Sequence, residues 1–376
     1  MMNSLYPLQS NALSVLLLRV LKIISILNQT TILSLSKFFR MDSLTHIVLG
    51  AAIGEALLGK KIGRKAMLWG ALADTIPDFD VFASPCVTNA QQLLVHRGIT
   101  HSFLFAIVAS VLLGYLFKRI FSKSEVTRKE WILLFLLGMF THLTIDSFTC
   151  YGTGWFEPFS SFRVAFNTIF VADLFYTVPF LICIIIALSA KNFSERRRRW
   201  NKFGLIISTV YILLTFVNKL YVNHQMHDAL TKQNIEANDL VTTPTPLNNI
   251  LWAAYAADKT GYWFGYYSLL DKTNNINYYH VNKKEELLKP FENDSEVKLL
   301  KQFSKGYYCM STHDSAVYFN DIRFGQLGGW DSPDSAFVFS YKLRKDADNS
   351  TALNRSRFKT SFGDAFSSLV NRIKGK

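Results

Sequence analysis

The sequence predicts a mainly α-helical fold: a polytopic transmembrane helical bundle followed by a small β-rich (α+β) C-terminal domain on the extracytoplasmic side. Hydrophobic residues make up 49% of the 376-residue chain and charged residues only 18%, a balance that suits lipid as solvent for part of it. Four apolar stretches are long enough to cross ~30 Å of hydrocarbon as helices of about 20 residues. Near Asn223 the composition changes to that of a domain in water.

The four stretches run approximately from Ser102 to Phe117, Trp131 to Phe148, Ile169 to Ala190 and Phe203 to Val222. Two shorter runs rich in Ala and Gly precede them, Ser43 to Leu58 and Ala66 to Thr75, and suit close helix packing. The net charge of +13 takes its meaning from where it sits. Lys60, Lys61, Arg64 and Lys65 separate the first two helices; Lys118, Arg119, Lys123, Arg128 and Lys129 follow the third; Lys191, Arg196, Arg197, Arg198, Arg199 and Lys202 follow the fifth. The connections Asp78 to Thr100 and Cys150 to Thr168 carry few Lys or Arg. The positive-inside rule makes the basic loops cytoplasmic and puts the segment after Val222 outside, with parity agreeing at every crossing. Arg196 to Arg199 lie between two spans and read as a topology signal, so the expected partner is the lipid bilayer and not nucleic acid. Cys86, Cys150, Cys183 and Cys309 form no CxxC pair, which argues against a zinc ribbon or a thioredoxin-like site. Free thiols are expected, a Cys86–Cys150 bridge being the alternative.

The polar stretch Asn223 to Asp239 predicts a helix, punctuated by Thr243-Pro244-Thr245-Pro246. Aromatic-rich runs at Tyr262 to Leu269, Gly306 to Met310, Ala316 to Phe324 and Ala336 to Leu343 predict strands. The chain then divides into a membrane-embedded helical domain at 41–222, an extracytoplasmic α+β domain at 223–345 and a basic tail at 346–376. Within the tail, residues 358–374 predict a short amphipathic helix on a membrane surface. Residues 1–40 are apolar and carry Arg19, Lys22, Lys37 and Arg40; a leader, an extra helix and a start upstream of a natural beginning at Met41 all stay open. Trp252, Tyr255, Tyr262, Trp263, Tyr266 and Tyr267 are expected in the core of short strands rather than on a glycan- or lipid-contacting face. His280 and His313 stand isolated and receive no role.

Half of the eight histidines, His46, His96, His101 and His142, lie among acids or a tight turn. Asp42 and His46, like His142 and Asp146, are spaced to share one helix face. Between them come Asp74-Thr75-Ile76-Pro77-Asp78-Phe79-Asp80 and His96-Arg97-Gly98-Ile99-Thr100-His101. Neutral imidazoles with carboxylates are the ligand set that zinc, manganese or iron accepts. In the predicted topology all of them fall at extracytoplasmic helix ends, with Asp173 near the start of the fifth helix. Ionisable groups in membrane segments are costly, so His142, Asp146 and Asp173 need a partner or an aqueous cavity. A shared metal would satisfy them together. Any one alone could be a core histidine or a helix cap, as Asp42 or Ser43 could be; convergence on one face points to metal.

Asp42-Ser43-Leu44-Thr45-His46, the run Gly70 to Asp80, His96-Arg97-Gly98-Ile99-Thr100-His101 and Thr141-His142-Leu143-Thr144-Ile145-Asp146 resemble the YdjM-like family of bacterial inner-membrane proteins, described as metal-dependent hydrolases. The resemblance covers roughly Met41 to Val222, and the His-Arg-Gly-x-Thr-His element is its most specific part. Pro246 to Trp252 and Gly265 to Leu270 are similar to the C-terminal extension of longer members. A fainter similarity links the helix-start histidine and the Pro-Asp-x-Asp turn to zinc-dependent phospholipase C proteins. The resemblance implies His46, Asp80, His96, His101, His142 and Asp146 as metal ligands, with Asp173 and Asp78 as further candidates. The first 40 residues depart from the family pattern.

The function expected is a membrane-bound metal-dependent hydrolase acting on a phosphoester or lipid-linked substrate at the extracytoplasmic face of the inner membrane. One or two divalent ions are expected, zinc first, manganese or iron otherwise, lowering the pKa of bound water and polarising the ester. Arg97 either clamps an anionic group such as phosphate or pairs with a nearby Asp. Asp74 or Asp78 would take a proton from the attacking water. The alternative is a non-enzymatic membrane metal-binding protein: a scaffold, sensor or transporter. Transport favours ligands near the bilayer midplane on broken helices, whereas these lie at helix ends. A closed structural zinc needs only four ligands, fewer than are offered.

Overall fold

The computed structural model describes residues 38–345, 351–355 and 362–375. The alternatives for residues 1–40 therefore lie outside the described residues, save for the last three, whose backbone begins the first helix. The helical part comprises α1 (Phe38–Ile62), α2 (Lys65–Thr75), a 3-10 segment (Ile76–Cys86), α3 (Asn89–Val95), a 3-10 turn (Ile99–His101), α4 (Phe103–Ile120), α5 (Arg128–Ser147), α6 (Leu174–Ser189) and α7 (Glu195–Lys232).

Among the described residues α4, α5 and α7 are long and apolar enough to cross a membrane, while the apolar α6 has 16 residues. The expected span from Ile169 is thus shortened. Asp173 Oδ1 accepts the amides of Phe175 (2.9 Å) and Tyr176 (3.2 Å) and starts the helix at Leu174. At 1.5 Å per residue α6 is about 24 Å long. The last expected span and the polar helix after it are one element of 38 residues, because no Gly or Pro interrupts the chain between Leu205 and Lys232.

α1 and α2 form a tight hairpin. A Cβ on Gly70 would lie 2.1 Å from the Gly50 carbonyl oxygen, and one on Gly54 would lie 2.0 Å from that of Ala66. Small residues let the two backbones touch, which is how helices gain contact where lipid offers no hydrophobic drive. α5 packs against α1, α2 and α4, burying Leu134, Phe135, Met139 and Leu143. At the end of the bundle opposite the candidate site the basic connections meet. Lys61 pairs with Glu130 at 2.8 Å, Arg64 donates to the Ala190 carbonyl at 2.9 Å, and Arg197 is buried in an ion pair with Glu55. One of the four consecutive arginines is therefore a packing element as well as a charge.

The C-terminal part holds two four-stranded antiparallel meanders, β1 (Asp239–Pro244) through β4 (Tyr279–Asn282) and β5 (Tyr308–His313) through β8 (Thr351–Arg355), with α8 (Ser295–Phe303) packed between them in sequence. In the first sheet β2 (Leu251–Ala257) and β3 (Gly261–Ser268) are central; in the second, β6 (Ala316–Gln326) and β7 (Phe337–Lys345). Trp252, Tyr255, Tyr262, Tyr266 and Tyr267 are buried, as expected of strand cores. The region expected to be a basic tail supplies β8, which pairs with β7, and α9 (Phe362–Ile373). The apolar face of α9 lies on the first sheet, where Leu369 and Ile373 join Tyr266 and Trp330, and Arg372 pairs with Asp271 at 2.7 Å. That contact occupies the face a membrane would otherwise take. All four cysteines are free.

The β-rich part braces the loops of the helical part. Tyr151 packs on Phe303 and Phe324, Arg323 reaches the Cys150 carbonyl, and Lys305 Nζ donates to the Arg163 carbonyl at 2.8 Å.

Candidate metal centre

α1, the end of α2, the two 3-10 segments and α5 converge on a buried group of imidazoles and carboxylates. Asp78 Oδ1 and Asp146 Oδ2 each lie against both His101 Nε2 and His142 Nε2. The two nitrogens are 3.0 Å apart; Asp78 lies 3.6 and 3.5 Å from them, and Asp146 3.3 and 3.5 Å. A tetrahedral metal with bonds of ~2.0–2.2 Å separates its ligand atoms by about 3.3–3.5 Å. Asp146 Oδ2 is buried and accepts no hydrogen bond, a costly state that a cation between it and the two imidazoles would relieve. Among the described residues two sets could hold a metal ion, His101/His142/Asp146 and His46/Asp78/His142, with His142 common to both.

The layer behind is built to present Nε2. His142 Nδ1 lies 3.4 Å from Asp74 Oδ1, and His101 Nδ1 lies 3.0 Å from the Thr100 hydroxyl and 3.5 Å from Asp80 Oδ2. Carboxylates behind ligand imidazoles set the tautomer and raise basicity. Asp74 also contacts His46 Nδ1 at 3.2 Å and accepts the Thr141 hydroxyl at 3.1 Å. His46 Nε2 is 3.2 Å from Asp146 Oδ1, and its ring stacks on His142 at 3.7 Å.

A matching family description decides the relationship: "YdjM inner membrane protein" covers residues 41–234, which hold every residue of this cluster. The chain belongs to the YdjM family. Residues at 26% identity over 218 positions align it with a protein of Bacillus subtilis described as "Uncharacterized protein YfhP", spanning 54% of this chain and 62% of that protein. "Inner membrane protein YbcI" of Escherichia coli is 29% identical over 151 residues, 38% of this chain and 86% of that protein. No solved structure matches. Family name and apolar helices together make this YdjM protein a membrane protein of the inner-membrane type.

In this YdjM chain the residues expected at the site divide into three groups. His46, Asp74, Asp78, His101, His142 and Asp146 come together as described. His96, Asp80 and Arg97 form a supporting layer. Asp80 Oδ1 is 3.0 Å from His96 Nδ1, and its Oδ2 accepts the Arg97 amide at 3.1 Å and the Thr100 hydroxyl at 3.2 Å. Burial opposes charge on Asp80, yet the His96 bond and charge, the charge of His101 and the Arg97 amide hold its pKa below the usual carboxylate range. Asp173 is not at the cluster: its Oδ2 accepts the Tyr211 hydroxyl at 2.8 Å while Oδ1 caps α6.

Arg97 resolves toward pairing. Its Nη2 lies 2.9 Å from Asp146 Oδ1, its Nη1 donates to the Thr149 hydroxyl at 2.7 Å, and the guanidinium sits over the Tyr151 ring at 5.1 Å. The side chain is 1% exposed. Of the nine cluster and supporting side chains, only those of Asp78 and His96 are appreciably exposed, at 22% each. Thr149 and Tyr151 escaped sequence reasoning, and Thr141 entered only as part of a family motif, without a role. Thr141 and Thr149 flank the α5 histidine–aspartate pair, a weak signal, and Tyr151 has none.

Proposed function

We propose that this YdjM protein is a membrane-bound metal-dependent hydrolase that cleaves a phosphoester or lipid-linked substrate at the extracytoplasmic face, with zinc the first candidate and manganese or iron the others. The observation that supports it is the pair of overlapping ligand sets, His101/His142/Asp146 and His46/Asp78/His142, that share His142. A bound divalent ion supplies an acidified water and a polarised ester oxygen.

The protein's own groups then have distinct tasks. Thr100, itself bonded to Asp80, holds His101 by Nδ1, and Asp74 lies 3.4 Å behind His142 Nδ1, which leaves both Nε2 atoms forward. Arg97, fixed by Thr149, offsets the charge of Asp146 and keeps its second oxygen turned to the cluster. Asp78, partly exposed, is the carboxylate placed to accept a proton from attacking water; Asp74 is fully buried and already shared between His46, His142 and Thr141. The test is release of phosphate or diacylglycerol from a panel of phospholipids by purified protein, with His101→Ala as the control. Turnover that persists undiminished in that variant would sink the reading.

A second reading rests on one specific observation. Asp78, His101, His142 and Asp146 offer four ligand atoms, the number a closed structural site uses, and three of these side chains are no more than 1% exposed. In that case the protein is a non-enzymatic metal-binding membrane protein, and metal removal would unfold it without any substrate being turned over.

A further inference from the structure

The surface around Asp78 is unlike one made for water. Two segments frame it, residues 76–102 and 148–173, and they are stitched together: the Gly154 amide donates to the Arg97 carbonyl at 2.9 Å and the Phe103 amide to the Trp155 carbonyl at 3.0 Å. On these segments Phe79 (46%), Phe82 (76%), Ile99 (53%), Phe156 (47%), Phe159 (83%) and Phe162 (64%) are exposed. Every charged side chain in the same segments is buried or half-buried: Asp78, Asp80, Arg97, Glu157, Arg163 and Asp173. An exposed aromatic surface without a single exposed charge is far outside the usual character of a protein face in water. It is also continuous with the lipid-type surface of the bundle, because Leu104, Ile107 and Val108 are exposed on the first turns of α4, directly after Ile99.

We propose that these two loops form an apolar wedge seated in the phospholipid leaflet at this end of the bundle, and that the ester to be cleaved reaches Asp78 sideways from the lipid. The seat of the wedge follows from the exposed surface; the substrate route rests on the hydrolytic reading above. The occupant is phospholipid because exposed apolar residues continue from Ile99 to Leu104, Ile107 and Val108 on α4, a helix itself long and apolar enough to span a bilayer. Neither segment offers a soluble polyanion an exposed cation of its own, and the exposed Lys305 of the β-rich part has its Nζ bonded to the Arg163 carbonyl. An amphiphile held by its chains would arrive already concentrated and with its headgroup ester at the depth of Asp78.

The experiment places nitroxide labels at Phe82→Cys and Phe159→Cys, each in a Cys86→Ser background that removes the exposed native thiol. Full-length protein is reconstituted in phosphatidylethanolamine–phosphatidylglycerol vesicles, and collision with oxygen is compared with collision with a nickel chelate. Leu112→Cys on α4 serves as the lipid standard and Lys259→Cys in the β2–β3 turn as the water standard. Labels at 82 and 159 are expected to behave like the one at 112; behaviour like the one at 259 overturns the wedge. In the same vesicles a Phe82→Ser/Phe159→Ser double variant should keep its metal and its turnover of bis(p-nitrophenyl) phosphate while losing most of its turnover of phospholipid. Equal loss on both substrates overturns the lateral route. Wild-type protein inert on both substrates, with its labels in lipid, sinks the hydrolytic reading and leaves the wedge standing.

Discussion

Adding one methyl group at Gly70 should part α1 from α2 and loosen the metal centre. The Cβ of Gly70→Ala would meet the Gly50 carbonyl oxygen at 2.1 Å and the Gly54 Cα and N at 2.7 Å. All are backbone atoms, so no side chain can swing aside. An ordinary contact needs about 3.4 Å, which moves the helices apart by roughly 1.3 Å. His46 and Asp74 each lie one turn from this crossing, and their 3.2 Å contact spans the same gap. Opened to about 4.5 Å, it ceases to be a hydrogen bond. Overpacking of this kind costs about 1–3 kcal/mol. Loss of a contact behind a metal ligand lowers affinity ~10–100-fold. Chelator competition on detergent-purified protein reads the affinity, and circular dichroism melting reads the stability. A Gly70→Ala protein with wild-type affinity and wild-type Tm would refute the claim that this backbone contact sets the position of His46 against Asp74.

Other perturbations separate stability from the site. Arg97→Gln strips the buried partner from Asp146 and should lower stability by ~3–5 kcal/mol in metal-free protein, less with metal bound; equal melting of both apo proteins would contradict the pairing. Glu55→Gln breaks the buried pair with Arg197 at the far end of the bundle, so melting should fall while metal content stays at the wild-type value. Asp173→Ala should cost ~0.5–2 kcal/mol through the lost cap of α6 and leave metal content unchanged; a drop in bound metal would return Asp173 to the ligand set.

The helices were legible because long apolar runs need no partner to be recognised, although α6, expected as a full span, has 16 residues. Their ends were less so, since Asp173 at a helix start reads equally as ligand or cap, and only the position of Tyr211 and two amides decides. β2 was given no bounds, although Trp252 and Tyr255 were expected in strand cores, for a physical reason. Leu-Trp-Ala-Ala-Tyr-Ala-Ala is buried on both faces through Ala256, so the polar–apolar alternation that marks a strand is absent. β3, β6 and β7 carried enough aromatic residues to be placed. At the site, the histidines and acids were visible as residue types at suggestive spacings, but the division into cluster and support was not. Asp78 and Asp80 are two residues apart in one turn, yet one faces His142 and the other His96. The role of Arg97 stayed open in sequence because a guanidinium at a tight turn serves a phosphate or a carboxylate equally well. Tyr151, which covers it, lies 54 positions away and is itself held by residues beyond 300.

The central claim is that His142 lies at the heart of a divalent-metal centre, and elemental analysis tests it most directly. Protein purified in mild detergent from cells grown with zinc, manganese and iron should carry one or two divalent ions per chain, and His142→Ala, which removes the member common to both candidate sets, should carry almost none while remaining folded. Wild-type protein free of divalent metal, or a His142→Ala protein that retains the full complement, would contradict the account.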